Sequence, residues 1–272
     1  MTEETLESLV ARAAQGSASA LDTVARRIKD DIYGLAIRML WHPADAEDAT
    51  QEILIRVIAN LGTFEGRSSF RTWVYRVAVR ALLNLKRGRA EAPLSFEAFG
   101  EDLLDGLQPG APAELSPVEQ RLLSHEIKLA CTQAMLLCLD RDHRMAYVLG
   151  EILELSGEEA AECLDISAAA YRKRLSRARE RVHEFTRSHC GLVDDRAPCR
   201  CDGRIAAARL SGRIDPERLL FASHPVTDAS RGEVRAVVEM LGTLKEPGAL
   251  LRSNPRFEAP DRVLETIRRV TE

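Results

Sequence analysis

The chain has 272 residues, of which 45% are hydrophobic and 29% charged, and its formal net charge is −4. The length predicts one to three domains, and low Gly, Pro and aromatic content with long stretches of helical apolar spacing predicts an all-α protein. The longest apolar runs, such as residues 134–139, are too short to cross a bilayer, and the acidic N-terminus MTEETLESL lacks the regions of a signal peptide. We therefore expect no membrane insertion and a cytoplasmic location.

Charge is segregated along the chain in spite of its small total. Residues 66–89 hold seven basic side chains and no acidic one, whereas residues 91–119 hold seven acidic side chains and no basic one. A third segment, residues 167–181, holds six bases and one acid. Because the local field decides where a polyanion binds, the two basic segments are candidates for contact with nucleic acid.

Residues 1–90 are predicted to form a helical bundle, since apolar residues recur at spacings of three and four. Pro43 is predicted to interrupt the chain, with Asp45 capping the next helix. That helix has an acidic start, where the helix dipole favours negative charge. The charge pattern alone leaves two interpretations open: capping and solubility, or a docking face for a basic partner.

A short Gly/Ser loop with aromatics follows at residues 64–69, and the next helix carries Arg76, Arg80 and Arg87 on one stripe. Such a stripe matches phosphates spaced along a strand, while the loop offers amides, hydroxyls and aromatic edges to an unstacked base. A solvated face for the arginines is the alternative. For Phe70 and Trp73 the alternative is a purely structural place in the core, which is favoured for their inward faces.

The segment from Asp45 to Leu83 resembles the second conserved region of bacterial sigma factors of the extracytoplasmic-function type. The likeness is ungapped and rests on motifs such as DxxDxxQE from Asp45 and FxG from Phe64. It implies that the first helix binds the clamp helices of RNA polymerase and that the loop captures a flipped base of the promoter's −10 element. The residues implied to bind core RNA polymerase are Asp45, Asp48, Gln51 and Glu52. Those implied to bind −10 DNA are Arg56, Phe64, Arg67, Ser68, Ser69, Phe70, Trp73, Arg76 and Arg80.

Residues 91–117 carry four prolines and uniform negative charge, which predicts a flexible acidic linker. In the sigma family the linker threads toward the RNA path of the polymerase. Two roles are open for the linker: it mimics the negative charge of RNA, or it is only a soluble tether.

Residues 118–187 are predicted to form a second helical unit with a helix-turn-helix. Ser156 and Glu159 form a capping-box pattern that opens a short helix, and Ser167 is placed to cap the next one. In that second helix Tyr171 and apolar residues line one side and bases the other, as a reader of the DNA major groove requires. A membrane or partner helix is the alternative, and the preceding helix and turn favour DNA.

The same stretch resembles the fourth region of these sigma factors, which reads the −35 element of duplex DNA. The likeness rests on Ser167 and on the run RLSRAR from Arg174 to Arg179, whereas Tyr171 and Lys173 depart from the commoner Val and Ser. That departure leaves the preferred promoter sequence open. The residues implied to bind −35 DNA are Ser167, Tyr171, Arg172, Lys173, Arg174, Arg177 and Arg181.

Residues 188–272 are predicted to form a mainly helical tail, with one capping-box pattern from Ser230 to Glu233. The tail resembles an appendix found on some sigma factors of this type, and the resemblance implies no role for it. Two roles stay open for the tail: it packs on the DNA-binding units, or it binds polymerase.

The tail begins with a cluster of four potential zinc ligands, His189, Cys190, Cys199 and Cys201. Cys-x-Cys is an awkward spacing for zinc, so ordinary reduced thiols are favoured over a metal or redox site. We expect no cofactor elsewhere in the chain.

The sequence thus predicts a sigma factor without catalysis, whose partners are core RNA polymerase, promoter DNA and, as a further candidate, an anti-sigma factor. The alternative is an autonomous helix-turn-helix regulator that binds duplex DNA, with a metal- or thiol-sensing tail. The aromatic loop favours the first reading, because a protein that reads only duplexes has no use for it.

Overall fold

The computed structural model describes residues 4–85, 94–216, 219 and 246–271. These residues are mainly helical and contain no strand beyond an isolated bridge between Cys190 and Cys199, which confirms the all-α prediction. None of the helices in these ranges is long and apolar enough to cross a membrane. The chain divides into two compact units. One comprises residues Met1–Ala92, Val148–Arg174 and Arg256–Glu272, and the other Pro93–Tyr147 and Leu175–Pro255.

The first unit is built around four helices that follow one another in the chain. Hydroxyl side chains cap three of them, because Thr5, Ser17 and Ser69 each accept a hydrogen bond from a backbone N–H in the first turn. Large aliphatic side chains such as Ile32 and Leu54 fill the core between them. The helices are α1 (Leu6–Ala14), α2 (Ala18–Leu40), α3 (Pro43–Ala59) and α4 (Phe70–Asn84).

The turn between α2 and α3 differs from the prediction. Trp41 ends α2 in the left-handed region with φ of 65°, and His42 rather than Asp45 is the N-cap of α3. Pro43 occupies the first helical turn, where its missing N–H leaves no bond unmade. The N–H of Asp45 donates to His42 Nδ1 at 3.4 Å, so Asp45 lies inside the first turn.

Later segments of the chain complete the first unit. A single turn of π-helix (Val148–Ile152) precedes α8 (Gly157–Leu164), which packs on α4. The predicted capping box is present, since Ser156 and Glu159 each accept the other's backbone N–H. Asp165 then turns the chain with a φ of 56°, as the tight helix-turn-helix connection requires.

The second unit is also helical, with one core formed by α6 and the tail. Leu123 and Ile127 of α6 pack with Ile205, Ala208 and Ile214 of the tail. Its helices are α5 (Phe96–Leu104), α6 (Pro117–Leu137), α7 (Arg141–Tyr147), α10 (Ile205–Leu210) and α11 (Pro247–Arg252). The long helix α9 (Ala168–His189) begins in the first unit and ends in the second, and α12 (Arg262–Thr271) belongs to the first.

Helix α5 lies within the segment predicted to be a flexible linker. Ser95 caps it, and its buried side chains Phe96 and Phe99 stack on Phe185 of α9 with ring centroids 5.2 and 5.3 Å apart. The flanking prolines conceal this short apolar face in the sequence. Nine residues of the linker are therefore held by aromatic packing. The capping-box pattern predicted at residues 230–233 lies outside the described residues.

Candidate nucleic-acid and polymerase interface

The predicted polymerase-binding residues lie together along one side of α3. Asp48 and Glu52 are exposed, and Asp45 and Gln51 are half-buried. Spacings of three and four put Asp48, Gln51 and Glu52 on neighbouring positions of the helix surface. Glu52 holds an ion pair with Arg56 one turn later. The result is an acidic helical face suited to a basic partner.

The loop between α3 and α4 presents an aromatic cluster. Phe64 meets Phe70 edge-on at 5.3 Å and Trp73 at 5.7 Å, and the latter two rings stack at 5.7 Å. Gly66 has φ of 70°, a left-handed conformation that glycine adopts without strain. Phe64 and Trp73 are half-buried, whereas Phe70 is only 1% exposed. Phe70, one of the residues predicted to bind −10 DNA, therefore lies in the core and supports the cluster from below.

Ser69 and Arg67 of this loop have local partners. Ser69 caps α4 by accepting the N–H of Thr72 at 3.1 Å. Arg67 is exposed and paired with Glu65, and Ser68 is half-buried. Ion pairs at such exposed sites contribute about 0–1 kcal/mol, so a phosphate competes easily for the guanidinium of Arg67.

The arginine stripe of α4 faces acidic side chains of α8. Arg80 Nη2 lies 3.1 Å from Asp165 Oδ2, just after α8, and Arg76 Nη1 lies 3.9 Å from Glu162 Oε1. Thr72 Oγ1 adds a contact of 3.5 Å to Glu159 Oε1. In this structure the predicted −10 arginines are thus already matched by carboxylates. Arg87, the third member of the predicted stripe, lies outside the described residues.

Helix α9 carries the predicted −35 residues. Arg172, Lys173 and Arg177 are exposed, and Ser167 caps the helix by accepting the N–H of Ala170 at 3.2 Å. Arg174 is half-buried. Basic side chains thus project from the helix while its apolar side is covered, as a helix that reads the major groove requires.

Two predicted −35 residues occupy other positions. Tyr171 is 1% exposed, because its ring packs beneath α8 near Gly157. In this position Tyr171 supports the packing of the helix-turn-helix. Arg181 lies with its guanidinium 5.3 Å from the ring of Phe96 and donates to Cys138 O at 3.5 Å. Arg181 therefore helps to hold α5 on α9.

Comparison with known proteins agrees with this arrangement. The family model of Sigma-70 region 2 matches residues 24–91, and that of Sigma-70 region 4 matches residues 129–182. The chain is 30% identical to the RNA polymerase sigma-H factor of Pseudomonas aeruginosa over 182 residues, covering 67% of this chain and 94% of that protein. It belongs to the extracytoplasmic-function sigma factors.

Other relatives carry the same description. The ECF RNA polymerase sigma-E factor of Escherichia coli K12 is 31% identical over 183 residues, covering 67% of this chain and 95% of the relative. A solved structure of CnrH in complex with the cytosolic domain of CnrY is 23% identical with a TM-score of 0.46, covering 64% of this chain and 91% of that chain. Sigma factors direct RNA polymerase to promoters and initiate transcription there, so core polymerase and promoter DNA are partners of this protein.

The cysteines of the sigma factor's tail are close enough to influence one another. Burial raises the pKa of Cys131 well above its usual value, and the thiols of Cys190, Cys201 and Cys199 raise it further. His189 is stacked on Phe185, with ring centroids 4.5 Å apart. Within the described part of the chain, no group of three or more Cys, His, Asp or Glu side chains is arranged to hold a metal ion.

Sequence reasoning missed two sets of site residues. Glu162 and Asp165 were not predicted as site residues, yet they face the arginines of α4. Glu47 belongs to the predicted acidic start of α3, but its pairing with Arg262 of α12 was not predicted. An excess of acidic residues beside a basic helix is a signal for the pairing of Glu162 and Asp165 with the arginines of α4. The second pairing joins residues far apart in the chain and has no local signal.

Proposed function

We propose that the sigma factor divides promoter recognition among three surfaces. The acidic side of α3 binds core RNA polymerase, the aromatic loop with α4 holds the melted −10 strand, and α9 reads the −35 duplex. In this proposal residues 1–90 and 118–187 are the two binding modules, and residues 91–117 connect them. The aromatic loop carries the proposal, because it distinguishes a protein that opens DNA from one that reads closed duplexes.

The loop has the chemistry that capture of a base needs. Phe64 is half-buried and rests against the edge of Phe70 and the tilted ring of Trp73, so its position is fixed before DNA arrives. Stacking of a base on an aromatic side chain contributes about 1–3 kcal/mol and tolerates any base. Arg76 and Arg80 lie on the adjoining helix, where they meet the phosphates that flank such a base.

Replacing Phe64 by Ala tests this role. We expect formation of the closed complex to change little, while the open complex falls at least about fivefold, since roughly 1 kcal/mol or more of stacking is lost. Permanganate footprinting of unpaired thymines measures opening, and a gel shift with polymerase measures the closed complex. Leu210→Ala is the control, because Leu210 is 90% exposed and lies in the tail. Unchanged footprints for Phe64→Ala would show that the loop does not hold the melted strand.

Polymerase dependence separates this function from that of an autonomous helix-turn-helix regulator. A sigma factor of the proposed kind shifts promoter fragments strongly only with core polymerase, whereas an autonomous regulator shifts duplex operators alone. In the proposal the protein acts in the cytoplasm and has no catalytic step. An anti-sigma factor is a further proposed partner, tested by co-purification from cells before and after induction.

No cofactor enters the proposed function. The thiols of Cys131 and Cys201 have pKa values raised by burial, so they are protonated near neutral pH, and a metal would first have to displace those protons. We expect the purified full-length protein to contain well under one zinc per chain by elemental analysis. A stoichiometric zinc that is lost on substitution of Cys199 or Cys201 would establish the metal-binding alternative instead.

A further inference from the structure

The last described segment of the chain lies on α2 and on α3, the helix that the proposed function gives to RNA polymerase. Helix α12 packs on α3 and α2, and the segment from Arg256 onward belongs to the same compact unit as these helices. Its apolar side chains are covered, since Phe257, Val263 and Leu264 are at most 3% exposed. Burial of large apolar side chains makes this a packed contact.

Polar contacts fix the segment along α2. The N–H of Ala259 donates to Asp30 Oδ1 at 2.8 Å, and Lys29 Nζ donates to Ala259 O at 2.8 Å. The guanidinium of Arg38, which is buried, lies 4.8 Å from the centre of the Phe257 ring and donates to Gly34 O at 2.7 Å. A cation buried in this way gains from the face of the aromatic ring that covers it.

On α3 the contact reaches the acidic side of the helix. Arg262 donates from Nε to a carboxylate oxygen of Glu47. Gln51 follows Glu47 by one turn, and Asp48 is its neighbour in the chain, so Arg262 sits at the border of the predicted polymerase face. The tail therefore offers this surface what a basic partner would offer it: an arginine on an amphipathic helix.

We propose that the segment Arg256–Thr271 is an intramolecular competitor for core RNA polymerase, seated at the edge of the polymerase-binding surface of α3. The inference rests on the proposed role of α3. A docked tail reduces the apparent affinity to the intrinsic affinity multiplied by the fraction of molecules in which the surface is open. Because docking is intramolecular, it persists at any protein concentration and is overcome by the polymerase.

The test uses the full-length protein with the apolar seat of the tail disrupted. Leu264→Asp puts a charge into the buried contact, and Glu265→Ala is the matched control on the exposed side of the same helix. We expect Leu264→Asp to bind core polymerase at least about threefold more tightly than wild type and Glu265→Ala to bind like wild type. Arg262→Glu, which breaks the pair with Glu47 without disturbing the core, is expected to act in the same direction.

Hydrogen exchange shows whether the tail has been released. The amide of Ala259, which donates to Asp30, should exchange faster in Leu264→Asp, while amides within α2 stay protected. It should also exchange faster in the wild-type protein once polymerase is bound. Released tails without tighter binding would overturn the inference, as would a tail that stays protected in the polymerase complex.

A second substitution separates failure of the inference from failure of the proposed function. Asp48→Arg in the Leu264→Asp background reverses a charge on the acidic face of α3. If this change weakens binding while tail release alone has no effect, α3 binds polymerase and the competition is wrong. If Asp48→Arg has no effect, the polymerase surface itself has been misplaced, and both proposals fall.

Discussion

Helices α4 and α9 are both basic, and they differ in what their arginines face. On α4, Arg76 and Arg80 lie opposite carboxylates of the α8 region, and Arg71 makes two bonds of 3.1 and 3.2 Å to Asp31. On α9, Arg172 and Arg177 are exposed to solvent. The comparison teaches that a basic stripe in the sequence predicts affinity for phosphate but not whether the stripe is available to it.

The difference implies two ways of meeting DNA. In the proposed function, phosphates meet Arg172, Lys173 and Arg177 of α9 at exposed positions, where binding releases counterions. In the proposed function a phosphate at α4 displaces the carboxylates of Glu162 and Asp165 from Arg76 and Arg80, so we expect capture of the −10 strand to require rearrangement of these side chains. We therefore expect duplex contact through α9 to need no rearrangement of α4, and strand capture by α4 to need one.

The largest effect is expected from removing charge on α9. Lys173→Ala with Arg177→Ala should weaken binding to a −35 duplex at least about tenfold, since a lost contact costs roughly 1–3 kcal/mol for a base and less for a phosphate. Anisotropy titration of labelled duplex with the sigma factor bound to core polymerase measures it. Binding to core polymerase should stay unchanged, as should duplex binding by Arg26→Ala, which removes an exposed arginine of α2. Equal loss of polymerase and duplex binding would contradict the assignment of α9.

A moderate gain is expected from neutralising the carboxylates that face α4. Glu162→Gln with Asp165→Asn should tighten binding of a −10 single strand by about two- to tenfold, because exposed pairs contribute roughly 0.2–1 kcal/mol each. The gain should shrink as salt rises, since screening already weakens the pairs. Glu158→Gln, an exposed acid on the same helix, serves as the control. No gain at low salt would mean that the carboxylates do not compete with DNA.

The smallest effect concerns pH and the start of α8. The side chain and backbone N–H of Ser156 lower the pKa of Glu159 from its usual 4.5 in the folded protein. The capping box therefore stabilises α8 fully above pH about 4.5, and this contribution is lost as the pH falls through the lower folded-state pKa. Between pH 5 and 3 the stability of wild type should fall slightly more than that of Glu159→Gln in thermal melts. Identical pH profiles would show that the capping box is unimportant.

Much of the fold follows from local patterns in the sequence. The hydroxyl caps at Ser156 and Ser167 and the apolar spacing of α9 are local, and the structure confirms them. Helix α5 was missed because its apolar face is short and lies between prolines. Asp45 was misplaced as a cap because His42 is a rare N-cap whose ring nitrogen accepts in place of a carboxylate.

Composition and resemblance predicted which residues form the site, but they did not predict which side chains pair with one another. Phe70 and Tyr171 belong to the expected motifs, yet each ring is buried as a support, and burial depends on neighbours far along the chain. The contacts of Arg80 with Asp165 and of Glu47 with Arg262 join residues separated by dozens to hundreds of positions. Such contacts depend on tertiary packing, which the periodicity of a single helix does not encode.

In the proposed function residues 91–117 connect the two binding modules, and helix α5 shortens this connection. A nine-residue helix spans about 13 Å, whereas the same residues pulled straight span about 30 Å. While Phe96 and Phe99 stay stacked on Phe185, the connecting segment cannot gain this extra length. Extra base pairs inserted between the two promoter elements should therefore lower transcription at shorter insertions than a fully extended connecting segment would allow. A segment that is too short for the distance prevents both modules from binding their promoter elements at the same time.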